Sequence, residues 1–114
     1  MAQKPAGDGN SGTQETAVQE TAIHLLVRGH VQGVGFRYFV KQSADAHAIA
    51  GWVRNLRDGR VEAVLIGAAH AVQAVLDAVE RGPSSARVDE VVTRAPLDDE
   101  LARARRPLEV MRSL

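Results

Sequence analysis

The 114-residue chain contains no cysteine, which removes disulfides, zinc–thiolate centres and thiol nucleophiles from consideration. Aromatic residues are scarce, with one Trp, one Tyr and two Phe. Neither sign of charge is in excess: 14 Lys and Arg stand against 14 Asp and Glu, and the pI is near 6.9. Domains that grip nucleic acid usually carry a basic surplus, so no nucleic-acid partner is expected. A small anionic ligand needs only one or two well-placed arginines and stays open. No apolar run approaches the ~20 residues that span a bilayer. The first 20 residues also lack the apolar core of a secretory signal. The expectation is a cytoplasmic monomer without a membrane partner.

What is present fits one domain, since 45 % hydrophobic content suffices for a single core. Residues 1–20 have no aromatic and one branched aliphatic, Val18, too little apolar surface to offset the entropy of ordering. They are expected to form a disordered tail or leader, with the domain over residues 21–114. From Thr21 the periodicities switch in a regular order. Ile23, Leu25 and Val27 alternate with His24, Leu26 and Arg28 as a strand. A glycine-rich turn follows at Gly29, Gly33 and Gly35. Phe36, Phe39, Val40 and Ala44 mark a helix to about Ala48. Gly51–Leu56 and Val61–Ile66 read as strands joined by the Asp58-Gly59 hairpin signal. Val72, Val75, Leu76 and Val79 mark a second helix, ended by Gly82 and Pro83. Val88–Thr93 is a further strand.

The order β-α-β-β-α-β predicts an α+β, ferredoxin-like sandwich with two helices on one face of an antiparallel sheet. Beyond it, Asp98, Asp99 and Glu100 ahead of Arg103, Arg105 and Arg106 suit a short helical turn. The stretch from Pro107 to Arg112 reads as a last edge strand.

The turn before the first helix carries the chemistry. Glycines admit positive φ, and successive N–H groups then form an anion nest. The unsatisfied N–H groups at the helix start favour the same anion. Arg37, in the first helical turn, can hold two phosphate oxygens at once. The loop lacks the Gly-Lys-Ser/Thr ending of a Walker motif, and Tyr38 stands where a dinucleotide fingerprint needs its third glycine. Glycine spacing alone is equally compatible with an idle tight turn.

Val27-Arg28-Gly29-His30-Val31-Gln32-Gly33-Val34-Gly35-Phe36-Arg37 closely resembles the first signature of the acylphosphatase family. Gly51-Trp52-Val53-Arg54-Asn55-Leu56, followed by Asp58-Gly59-Arg60-Val61, resembles its second. Gly82-Pro83 with Ala86-Arg87-Val88 is similar to a third stretch, and the resemblance covers about residues 21–112. It implies a ferredoxin-like fold and hydrolysis of an acyl phosphate to a carboxylate and inorganic phosphate by in-line attack of water. It implies that Arg37 binds the phosphoryl group and Asn55 positions the water. The loop backbone of Gln32, Gly33, Val34, Gly35, Phe36 and Arg37 would cradle the phosphate. No metal or organic cofactor is implied. The family's fold also occurs as an accessory module in larger carbamoyl-transfer maturation proteins. The segment from Ala95 to Arg106 departs from the family, being charged where a short connection is common, and Leu108 stands where an aromatic is frequent.

Other residues have plainer readings. Arg28, Arg54, Arg57 and Arg60 read as surface arginines. His24, His47 and His70 fall on separate elements with no carboxylate at matching spacing, so no metal site is expected. Tyr38 is a candidate to line the pocket mouth. RNA binding through sheet aromatics would rest on Trp52 alone.

Overall fold

Alternation along Glu20–His30 (β1) gives the sheet an interior strand, with Leu25 and Val27 fully buried on one side. The computed structural model describes residues 19–114. The tail expected over residues 1–20 thus lies outside the described residues as far as position 18, while Glu20 already pairs with Ala68. After β1 come α1 (Phe36–Ala46), β2 (Ala50–Asn55), β3 (Val61–Ala68), α2 (Ala69–Arg81) and β4 (Arg87–Arg94). A short α3 (Asp98–Ala102) and a two-residue β5 (Glu109–Val110) follow. The strand order is β4-β1-β3-β2-β5. β1 pairs antiparallel with β3 and β4, and β2 antiparallel with β3, whereas β5 runs parallel to β2. This is the expected ferredoxin-like arrangement, with the last strand confined to the middle of the 107–112 stretch.

The core lies between the sheet and two helices. Leu25, Val27, Val53, Ala63 and Leu65 face Phe36, Val40 and Ala44 of α1 and Val72, Val75 and Val79 of α2. Each fully buried Val, Leu or Phe stabilises the fold by about 1.5–3 kcal/mol over its exposed state. Leu108 closes the α1 side of this core at 1 % exposure. α1 ends two residues before the expected Ala48, because the Ile49 N–H turns back to the Ala44 carbonyl at 2.9 Å and puts Ala48 at φ 56°.

The helices α1 and α2 cover one face of the sheet as expected, and its second face is covered as well. Trp52, Val64 and His24 alternate with the core residues and so point away from α1 and α2, yet all three are fully buried. The segment from Ala95 to Arg106 lies across them. The Trp52 Nε1–H donates to the Glu100 carbonyl at 2.9 Å. Gly51 and Arg105 exchange backbone hydrogen bonds of 2.9 and 3.1 Å. Trp52 therefore offers no stacking face to a nucleic-acid base.

Beneath α3 the charges are paired. Glu100 accepts both Arg94 Nη atoms at 2.8 Å and the Leu97 N–H at 2.8 Å. Glu62 meets His24 Nε2 at 2.7 Å and accepts from Arg54 Nε at 2.8 Å. The Arg54 guanidinium also lies 5.0 Å from the centre of the Trp52 ring, so Arg54 is not the surface arginine expected.

The Arg94 guanidinium, helped by the Leu97 N–H and against the effect of burial, holds the Glu100 carboxyl down at about 2 from an ordinary 4.5. A lowered acid stabilises the fold above its unfolded value and loses that contribution as pH falls from about 4.5 toward about 2. Glu100→Ala is expected to destabilise the protein at pH 7 by about 2 kcal/mol, less than for a fully buried pair because water reaches part of Arg94. Denaturant melts should show this gap closing between pH 5 and pH 2. A gap that stays constant across that range would contradict the assignment.

Candidate active site

The chain from Val31 to Gly35 joins β1 to α1 with Gly33 at φ 73° and Gly35 at φ 76°. A Cβ at either position would meet nothing within 4 Å, so glycine is required by the backbone angle and not by crowding. Gly35 is the N-cap of α1, and it provides no side-chain cap. The first turn of α1 also holds no acidic residue. The N–H groups that open the helix are thus left to an outside acceptor.

A cavity of about 150 Å³ opens at this point, lined by Val31, Gly33, Gly35, Phe36, Arg37, Tyr38 and Asn55. Arg37 arrives from the first turn of α1, and Asn55 from the end of β2. The neighbourhood is built to hold them. Gln32 does not line the cavity; its Nε2 donates to the carbonyls of Leu56 and Arg60 at 2.7 and 2.9 Å, tying the loop to the β2–β3 hairpin. The Val34 carbonyl accepts from Ser85 Oγ at 3.0 Å and fixes the other side of the loop. Arg37 Nη1 donates to the Met111 carbonyl at 2.9 Å. Among the described residues, no carboxylate lies within ion-pair distance of Arg37, so no neighbouring acid neutralises the charge it brings to the cavity wall. Tyr38 stands at the mouth with 65 % of its surface exposed.

A larger cavity, about 300 Å³, lies between Asp45, Ala48, Ile49, Arg106 and Pro107. Its walls bring one carboxylate and one guanidinium but no convergent donors, and it is remote from the loop in the fold.

Residues 23–103 match the family model described as Acylphosphatase. The chain belongs to the acylphosphatase family. An acylphosphatase of Alcanivorax borkumensis is 46 % identical over 80 residues, which is 70 % of this chain and 87 % of that protein. The crystal structure of acylphosphatase from Bacillus subtilis superposes with a TM-score of 0.67 at 36 % identity, covering 82 % of this chain and 99 % of that one. The crystal structure of HypF from T. kodakarensis matches with a TM-score of 0.66 at 31 % identity, over 78 % of this chain and only 11 % of that chain. The family's ferredoxin-like fold is the one described above.

Two groupings in this member of the acylphosphatase family escape sequence reasoning, one behind the sheet and one at the site. His24 Nε2 lies 2.7 Å from Glu62 and 3.6 Å from Glu100, a grouping that spacing along the chain does not reveal. The oxygens of both carboxylates are shared with Arg54 and Arg94, which makes the group an ion-pair lattice behind the sheet. The contacts of Met111 and Ser113 with Arg37 and Asn55 are equally hidden, because they span 74 and 58 positions.

Proposed function

We propose that this chain hydrolyses acyl phosphates to a carboxylate and inorganic phosphate, with Arg37 and Asn55 as its working side chains. One observation carries the reading: the glycine loop, the N-terminus of α1, Arg37 and Asn55 converge on one cavity of about 150 Å³, the size of a small anion with little to spare. The phosphoryl oxygens would rest on N–H groups of residues 33–37, with Arg37 bridging two of them. Gln32 and Val34 brace that cradle through their bonds to the hairpin and to Ser85.

A carboxylate is a good leaving group, so the reaction asks little of a general acid. It needs neutralisation of phosphoryl charge and a water in line with the departing oxygen. Arg37 supplies the charge. The neutral amide of Asn55 can orient a water without setting a negative charge beside an anionic substrate. The acyl group would leave past Tyr38. These roles call for no metal or organic cofactor. The finer reading is of a monomer acting in the cytoplasm, its monomeric part supported by a pocket that one chain completes by itself. No helix among the described residues is long and apolar enough to cross a membrane.

Benzoyl phosphate tests the proposal. Purified protein with excess EDTA is expected to release inorganic phosphate and benzoate in equal amounts. Absence of hydrolysis would favour an accessory module with the same fold, and hydrolysis abolished by EDTA would remove the metal-free mechanism.

A further inference from the structure

A third side chain meets the water-positioning amide. Asn55 Nδ2 donates to Ser113 Oγ at 3.2 Å. Ser113 is held in place by the backbone on either side of it. The Met111 N–H bonds the Val53 carbonyl at 2.8 Å, and the Leu114 N–H bonds the Asn55 carbonyl at 3.0 Å. Beyond the last ladder pair, Val53 with Val110, the segment stays beside β2, with a final out-of-register hydrogen bond at Asn55 itself.

The two ends of a carboxamide do opposite chemistry. An attacking water must point a lone pair at phosphorus and give a hydrogen to an acceptor. The oxygen end of Asn55 provides that acceptor. The amino end would instead engage the lone pair needed for attack. Half a turn about the last side-chain bond exchanges the two ends, so something must hold one of them. In this chain Ser113 Oγ accepts from the amino end and so steadies the rotamer that leaves Oδ1 for the water.

We infer that Ser113 is a positioning residue for hydrolysis, acting through the orientation of Asn55. The inference rests on the water-positioning reading of Asn55. Losing one such hydrogen bond is expected to lower kcat about 3- to 10-fold. Because Ser113 does not line the phosphate cavity, KM and inhibition by inorganic phosphate should stay unchanged.

The test is a double-mutant cycle with benzoyl phosphate. Ser113→Ala should lower kcat alone, and Ser113→Thr, which keeps the hydroxyl, should restore most of it. In an Asn55→Ala background, Ser113→Ala should have no further effect. The thermal midpoint of Ser113→Ala should match that of the parent. A full kcat in Ser113→Ala, or a raised one, overturns the inference while leaving Asn55 in place. An equal fall in both backgrounds overturns it too, since Ser113 would then act by another route. Full activity of Asn55→Ala would mark failure of the underlying reading instead.

Discussion

Arg37→Ala is expected to lower kcat/KM by at least about a thousandfold, because in the proposed mechanism this guanidinium holds the phosphoryl group. Inorganic phosphate should cease to bind measurably in the same variant. The fold should survive, since among the described residues this guanidinium makes a single hydrogen bond, to the Met111 carbonyl. That bond is worth about 1 kcal/mol. Arg37→Lys would keep the charge and lose the planar fork, so it should recover binding better than turnover. Steady-state kinetics and phosphate titration by calorimetry, run beside circular dichroism, separate these effects. An Arg37→Ala protein that still binds phosphate normally would move the phosphoryl site elsewhere.

Asn55→Ala is expected to act differently. The cavity loses a neutral group that would touch water, while the loop and Arg37 remain. Turnover should fall about a hundredfold or more, the scale associated with a misplaced nucleophile. KM and phosphate affinity should barely change, the pattern of an interaction made only on the way to the transition state. Asn55→Asp sharpens the test. It preserves shape but sets an anion beside an anionic substrate, so it should raise KM as well as depress kcat. If Asn55→Ala raised KM and left kcat alone, the residue would be a binding group and the water would need another partner.

The chain discloses its fold through periodicity. Ile23, Leu25 and Val27 at period two, and Val72, Val75 and Val79 at helical spacing, place β1 and α2 because burial repeats along each element. The loop is equally legible, since Gly33 and Gly35 carry the positive φ that their identity permits. Arg37 and Asn55 are visible as parts of long motifs. Their convergence on one cavity is a property of the fold.

What stayed hidden depends on pairings between distant residues. His24 occupies the side of β1 that alternation assigns away from the core, and nothing local tells that Glu62 and Glu100 will surround it. The charges of the Ala95–Arg106 segment look like a solvated stretch. Only the folded chain shows Glu100 turned inward to Arg94 and Trp52. The edge strand expected over 107–112 is there, but its two-residue length and its parallel pairing with β2 are not written in any local period.

The sheet's two borders have different fates, and this bears on how molecules behave toward one another. Along β2, β5 and Arg105 occupy the backbone groups that another chain could recruit. At the opposite border β4 remains the outermost strand, eight residues long and rich in Val. Such a strand is a template for uncontrolled association. Here Arg87, Asp89, Glu90 and Arg94 are all exposed along it, and each has an ion-pair partner within this chain. An incoming strand would have to strip water from these charges or break their pairs. The composition of β4 therefore defends solubility, a property that no catalytic assay would register.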